Sequence, residues 1–239
     1  MPTTMKIFKI YKSWGCFLAS FFRLRKYRIG LSLILANRIE LSEGVKIGHF
    51  NIIIVDKLVM KKNSSIGHFN FIKGWFDLIM EERSSIHLQN KIARILSQKK
   101  NYCKSVVHLK YHAKIGVKHE IDATRDITIG DNSMLAGSGS QIWTHGFYFS
   151  KIGDKVTRID GTVNIGKNCY VGARCVILAG VNIGDAITIG ANACISKSIE
   201  KPGLYVNQPI RYIPFDPDEA VTALTKKVAT INQVDIYEK

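Results

Sequence analysis

Cysteine and proline are both scarce in this 239-residue sequence, with five of each. The cysteines are Cys16, Cys103, Cys169, Cys175 and Cys194. They form no Cys-x-x-Cys pair and show no spacing to histidine that suits zinc, which argues against a disulfide framework and a zinc module. We therefore expect reduced, mostly buried thiols in a cytoplasmic protein that requires no metal.

The sequence also lacks an apolar run long enough to cross a membrane. Its longest runs near the start are Trp14–Phe22 and Ile29–Ala36. Both are well below the roughly 18 to 20 residues that a membrane-spanning helix needs. No small-x-small cleavage pattern follows the first run, and basic residues come directly after it, so a signal peptide is not expected.

Acidic residues are outnumbered by basic ones, with 19 Asp and Glu against 34 Lys and Arg and a net charge of +15. No helix-turn-helix, RNA-recognition or zinc pattern accompanies this charge, so nucleic acid is not expected as a partner. Residues 1–38 are basic, aromatic-rich and free of acidic residues. This segment is typical of peripheral contact with an anionic membrane surface. The alternative is that it packs on the protein body or on a partner subunit.

Aliphatic residues recur every six positions near the C-terminus. They are Ile159, Ile165, Val171, Ile177, Ile183, Ile189 and Ile195. A period of six fits neither an amphipathic helix nor a single strand. It is typical of a triangular parallel β-helix, in which each hexapeptide supplies one short strand and one corner, and stacked coils bury an aliphatic column. The sequence therefore predicts an all-β fold.

A looser repeat fills the front half of the chain. The Leu-Val-Met motif at Leu58–Met60 recurs as Leu78–Met80, and Ile47-Gly-His-Phe-Asn recurs from Ile66. Periods of 19 and 20 fit coils of three hexapeptides with extra corner residues. We predict a β-helix over residues 39–200, followed by an exit segment with a short capping helix over 201–239.

Five blocks of sequence carry a resemblance to a known family. They are Ile127–Ala136, Ile142–His145, Val163–Asp185, Ile189–Lys197 and Val206–Arg211. In order and spacing the chain resembles the hexapeptide-repeat acyltransferases, most closely the maltose/galactoside O-acetyltransferase branch and its polysaccharide-modifying relatives. The resemblance implies a left-handed β-helix, a homotrimer, acetyl-CoA as the donor and a carbohydrate acceptor.

The resemblance also assigns the catalytic residues. His145 matches the catalytic histidine of the family, and a histidine suits proton removal from a sugar hydroxyl near neutral pH. The family aids this base with an Asn or a carboxylate in an upstream coil. Here the matching stretch offers Glu120 and Asp122, either of which can orient His145. Trp143 is the expected substrate contact, and cysteine nucleophiles are not expected because the thioester is already activated.

By the same resemblance, small corner residues and two cations hold acetyl-CoA in a groove between subunits. These residues are Ala173, Ala179, Gly180, Ala191, Lys197 and Arg211. The chain is thus expected to O-acetylate a surface or lipid-linked glycan at the inner membrane face. The alternatives are N-acetylation of an aminosugar or nucleotide-sugar, and a catalytically silent β-helix scaffold.

Overall fold

The computed structural model describes residues 28–94, 103–207, 222, 227–231 and 234–237. The basic segment is therefore described only from Arg28 onwards, and Arg211 lies outside the described residues. Among the residues that are described, no helix reaches the length and hydrophobicity that a membrane crossing requires.

Nearly all of the regular structure is β-strand. The strands before Cys103 are β1 (Arg28–Ile29), β2 (Leu33–Leu41), β3 (Lys46–Ile47), β4 (Ile52–Met60), β5 (Ser65–Ile66), β6 (Phe71–Lys73), β7 (Phe76–Met80), β8 (Ser85–Ile86) and β9 (Lys91–Ala93). The next are β10 (Ser105–Leu109), β11 (Lys114–Val117), β12 (Glu120–Asp122), β13 (Ile127–Ile129), β14 (Met134–Ser138), β15 (Gln141–Ile142), β16 (His145–Phe149) and β17 (Val156–Asp160). The rest are β18 (Val163–Ile165), β19 (Tyr170–Val171), β20 (Val176–Ile177), β21 (Asn182–Ile183), β22 (Ile187–Ile189), β23 (Cys194–Ile195), β24 (Gly203–Tyr205), β25 (Lys227–Ile231) and β26 (Val234–Tyr237).

The strands stack coil on coil as a parallel β-helix. One face is the nine-stranded sheet β1-β3-β5-β8-β11-β14-β19-β22-β24. The other two faces are joined through the long strand β4, whose first half pairs with β6 and whose second half pairs with β7. The register aligns Ile47 with Ile66 and Leu58 with Leu78, which confirms the repeat periods of 19 and 20 residues. The architecture is consistent with the left-handed β-helix that the family resemblance implies.

The aliphatic residues that recur every six positions lie inside the prism. Those from Ile165 to Ile195 are buried in one continuous hydrophobic core. Ile159 is the exception, because it belongs to an antiparallel hairpin formed by β16 and β17, where it pairs with Gly146. This hairpin leaves the prism directly after Thr144, at the point where the hexad register is interrupted.

The β-helix is longer than predicted at both ends. It is already present at Arg28, whose strand pairs with β3, well before residue 39. It continues to Tyr205, which pairs with Ile189, so the coils do not stop at residue 200. The expected capping helix is wrong for residues 227–237, where β25 and β26 form an antiparallel hairpin rich in β-branched residues, which favour extended backbone. Thr222 is helical.

One corner of the prism contains a column of buried side chains that link successive coils. The amide N–H of Asn70 donates to Oδ1 of Asn51, and that of Asn90 donates to Oδ1 of Asn70. The column continues as the His119 N–H donates to Asn90 Oδ1, and the Ser140 N–H donates to His119 Nδ1. Each side-chain acceptor therefore satisfies a buried amide of the following coil.

Candidate active site

Strand register places several of the expected site residues along one edge of the prism. Ile121, Ile142, Ile177 and Ile195 are aligned in successive coils. The residues that follow them therefore form one column, with coils about 4.8 Å apart. We call this column edge one; it contains Asp122, Trp143–His145, Ala179–Gly180 and Lys197.

His145 and Asp122 are in direct contact on edge one. The Nδ1 atom of His145 lies 2.7 Å from Oδ2 of Asp122. The Asp122 side chain is fully buried, and the His145 side chain is 13% exposed. The imidazole therefore has one nitrogen anchored inside the protein and one nitrogen available for chemistry.

The hydrogen bonds around Asp122 define the tautomer of His145. Oδ1 accepts hydrogen bonds from the amide and hydroxyl of Thr124, at 3.1 and 2.6 Å. Oδ2 accepts from the amide of Thr144 at 3.0 Å. A carboxylate with donors on both oxygens acts only as an acceptor. His145 must therefore donate from Nδ1, which leaves the lone pair on Nε2.

Glu120 is placed differently, although it lies only two residues before Asp122. Its carboxylate pairs with the exposed ammonium of Lys91 at 2.6 Å. Thr144 and His145 cover Asp122, whereas nothing comparable covers Glu120, whose side chain is 37% exposed. Of the two carboxylates expected to orient His145, the structure thus brings only Asp122 to it.

The hairpin β16–β17 frames the imidazole. His145 pairs with Asp160 across the hairpin, and the Phe147 ring meets the imidazole edge-on at a centroid distance of 5.5 Å. Trp143 precedes this hairpin, and its indole N–H donates to Gln141 at 2.9 Å. The expected substrate contact Trp143 therefore lies two residues from His145 on the same edge.

Three arginines that were not predicted from the sequence lie close to this dyad. Arg158 pairs with Asp160 at 2.7 Å, and the amide of Arg125 donates to Thr144 Oγ1 at 3.0 Å. Arg94 is buried and donates to the carbonyl of Cys103. Its pKa is lowered by burial and also by the positive charges of Arg125 and Arg158. Strand register could have identified Arg94. Ile92 and Ile142 both align with Ile121, and Arg94 and Thr144 each lie two residues after these isoleucines.

The expected donor-binding residues fall on two different edges. Ala179, Gly180 and Lys197 share edge one with His145. Ala173 and Ala191 instead lie at the corner that follows the strands of the nine-stranded sheet, which we call edge two. A single chain therefore does not bring Ala173 and Ala191 to His145.

Small residues allow very close backbone approach on both edges. A Cβ atom added to Gly161 would overlap the backbone nitrogen of Gly180, and one added to Gly137 would meet the Ala173 methyl group at 2.7 Å. Gly180 itself has φ of +82° and open space where its side chain would be. Uncovered backbone of this kind suits the amide groups of a pantetheine arm.

The cysteines and remaining histidines occupy other positions. Cys175 is buried, and burial raises the pKa of its thiol, which keeps it protonated. Cys194 is exposed, contrary to the expectation of mostly buried thiols. His108 contacts Glu81 at 3.1 Å, and His112 lies in a turn beside Asn132. Within the described ranges no group of three or more potential metal ligands is assembled.

A family comparison agrees with the repeat. Residues 162–197 match the family model described as hexapeptide repeat of succinyl-transferase. This match confirms the hexapeptide repeat over those residues, which form strands β18 to β23.

Similar proteins share parts of the chain. A putative acetyltransferase of Schizosaccharomyces pombe is 36% identical over 89 residues, which are 36% of this chain and 42% of that protein. The bifunctional protein GlmU of Campylobacter lari is 41% identical over 44 residues, which are 18% of this chain and 10% of that protein. The match thus spans less than half the length of either relative. The solved structure of the polySia specific acetyltransferase NeuO aligns with 83% of this chain and 94% of its own, at 16% identity and a TM-score of 0.46.

Proposed function

We propose that this hexapeptide-repeat protein is an acetyl-CoA-dependent O-acetyltransferase that modifies a sugar hydroxyl of a surface or lipid-linked glycan. The observation that carries the proposal is the contact between His145 and Asp122 at the base of a hairpin that leaves a rigid prism. A buried carboxylate that holds an imidazole in one tautomer is the arrangement that general-base catalysis requires.

His145 is the proposed general base. Its Nε2 lone pair accepts the proton of the sugar hydroxyl, while Asp122 stabilises the positive charge that forms on the ring. The hydroxyl oxygen then bonds to the acyl carbon of the thioester, and the carbon–sulfur bond breaks. The proton held on Nε2 passes to the departing sulfur, so that the ester and a free thiol are the products and the base is restored.

The donor is proposed to lie along edge one, towards the C-terminal coils. Ala179 and Gly180 follow His145 by one coil, and the exposed cation Lys197 follows by two, where it suits a phosphate group. Ala173 and Ala191 would complete the donor groove when the C-terminal coils of a second copy present them, on edge two, to edge one. This is the reason to propose a homotrimer, in which each site lies between two subunits.

The test is acetyl transfer measured with a matched pair of variants. His145→Asn keeps a donor for Asp122 but removes the base, and it should lower turnover at least about a hundredfold. His112→Asn is the control, because His112 lies in a turn with φ of +55°, which asparagine tolerates well. Equal activity of His145→Asn and the wild-type protein would overturn the general-base role.

Acceptor chemistry separates the alternatives. Hydroxyl sugars should be acetylated in preference to aminosugars, whereas the reverse preference would indicate an N-acetyltransferase. A catalytically silent scaffold would not be stabilised by acetyl-CoA. A ligand present at about a hundred times its Kd should add roughly 2.7 kcal/mol to the free energy of unfolding, which thermal melting detects.

We also propose that the basic segment 1–38 holds the protein at the inner face of the membrane. Sequence composition supports this proposal, because the segment carries eight basic side chains and no acidic one. Replacement of Arg23, Arg25 and Lys26 by glutamine should weaken binding to anionic vesicles, by roughly 1 kcal/mol for each charge. Neutral vesicles should bind neither protein, and unchanged binding of the variant to anionic vesicles would refute the proposal.

A further inference from the structure

A groove with a volume of about 1060 Å³ runs along edge two of the first coils. It lies before the coils that carry Ala173 and Ala191, and on a different edge from His145. The described residues that line it include Arg28 and Lys46 and the repeated histidines His49, His68 and His87, and none of them is acidic. The groove therefore offers cations and imidazoles to a ligand, without a carboxylate to oppose an anion.

Two of these imidazoles are held in a defined tautomer. Nδ1 of His49 accepts the amide hydrogen of Leu31 at 3.1 Å, and Nδ1 of His68 accepts that of His49 at 2.9 Å. Each ring must therefore carry its hydrogen on Nε2 when it is neutral. The two rings are stacked, with centroids 5.5 Å apart and planes 14° apart. The groove thus presents a row of N–H donors at the spacing of the coils.

Two exposed aromatic rings directly follow the histidines in successive coils. Phe50 and Phe69 are 57% and 56% exposed, and their rings stack at 5.2 Å. Both residues have φ near +60°, a left-handed conformation that is costly for a bulky side chain. Exposed phenyl rings on a strained backbone are unfavourable in the protein without a ligand. Flat apolar rings of this kind can pack against the faces of sugars.

We propose that this groove binds an extended carboxylated polysaccharide. Its carboxylates would pair with Arg28 and Lys46 and accept hydrogen bonds from His49 and His68, while its sugar rings pack near Phe50 and Phe69. Two permanent cations are few for a nucleic acid, whose affinity depends on many phosphate contacts. The proposed site goes beyond the acetyl-transfer function, since it concerns a separate edge of the first coils.

Binding is tested on the full chain with polygalacturonate fragments and their methyl esters, which have the same sugars without the charges. Titration calorimetry at low ionic strength gives the Kd. The variant His49→Asn/His68→Asn retains an acceptor for the amides at the Nδ1 position but removes the Nε2 donors, and Lys46→Gln removes a cation. Each should weaken binding about tenfold. Lys62→Gln, which removes an exposed charge outside the groove, should change the Kd less than about twofold.

The outcomes are distinguishable from those of the catalytic test. His145→Asn should bind the acidic fragments as the wild-type protein does, so loss of activity and loss of this site are separate results. Methyl esters that bind as tightly as the acids would overturn the proposal. Tighter binding of a single-stranded oligonucleotide would do so too. So would a change of oligomeric state in Lys46→Gln, which would show that edge two is a subunit interface in the first coils and not only at Ala173 and Ala191.

Discussion

The Nδ1 atom of His145 and the Oδ2 atom of Asp122 lie 2.7 Å apart, although the two residues are 23 positions apart in the sequence. The register of the coils contributes to this proximity, because Ile121 and Ile142 are stacked in neighbouring coils; Asp122 follows Ile121 directly, and His145 follows Ile142 by three residues. The geometry of the proposed base is therefore tied to the packing of the hydrophobic core.

Replacement of Asp122 by asparagine should lower kcat by about a hundredfold or more. The amide would present an N–H group to one of the donors that now surround the carboxylate, and His145 would then be held with its lone pair on Nδ1 and the hydrogen on Nε2. The Kd for acetyl-CoA should stay the same. Steady-state kinetics and donor binding measure the two effects.

Glu120→Gln is the matched control for that substitution. Glu120 contacts the exposed side chain of Lys91, and surface pairs contribute little to stability. Its loss should change kcat less than about twofold. A large loss of activity in Glu120→Gln with little loss in Asp122→Asn would reverse the assignment of the orienting carboxylate.

Lys197→Met should raise the Kd for acetyl-CoA by roughly threefold to tenfold with little change in kcat. The expectation follows from one lost ionic contact to a phosphate, a contribution of about 1 kcal/mol at an exposed position. Lys201→Met removes an exposed cation nearby and serves as the control. Equal effects of the two substitutions would show that only overall charge matters.

His119 should make the stability of the fold depend on pH. Burial lowers the pKa of its imidazole to about 4, so the folded protein binds a proton less readily than the unfolded chain. The stabilisation is complete above pH 6.5 and is lost as the pH falls towards 4, where the difference amounts to about 3 kcal/mol. Urea unfolding at a series of pH values measures it.

His119→Asn should remove that part of the pH dependence. Asparagine occupies the same position of the buried column in the earlier coils, at Asn51, Asn70 and Asn90, so it can accept the amide hydrogen of Ser140. If the variant loses as much stability between pH 6.5 and 4 as the wild-type protein does, His119 is not the group responsible.

Gly161→Ala should destabilise the protein by about 2 kcal/mol or more. The added methyl group would overlap the backbone of Gly180, which cannot move without disturbing the next coil. Gly146→Ala is the control in the same hairpin region, since nothing lies within 4 Å of its Cβ position. Thermal melting should show a clearly lower Tm for Gly161→Ala and almost no change in Tm for Gly146→Ala.

The coils were predictable because their signal is periodic, and the features without a period were not. The first coil was missed because the nine-residue strand Leu33–Leu41 contains Arg38 and Glu40, which pair with each other outside the core and hide the aliphatic pattern. The hairpin β25–β26 was not predicted, because alanine and leucine precede its β-branched residues. The local composition there did not distinguish a helix from a strand.

The site was predictable in part. The resemblance supplied His145, whose position at the start of a hairpin agrees with the broken hexad register. Sequence alone could not choose between Glu120 and Asp122, since residues two apart lie on the same face of a strand. The two carboxylates differ in burial, because Thr144 and His145 of the neighbouring coil pack over Asp122 and not over Glu120.

The buried column from Asn51 through His119 to Ser140 has a direction. In each bond between a backbone amide and a side-chain acceptor, the earlier coil supplies the acceptor and the later coil supplies the amide. Once a coil is formed, its corner already presents the partner that its successor needs. Since ribosomes release the N-terminal part of a chain first, this polarity would allow growth of the prism to keep pace with synthesis, with each completed coil serving as the template for the next.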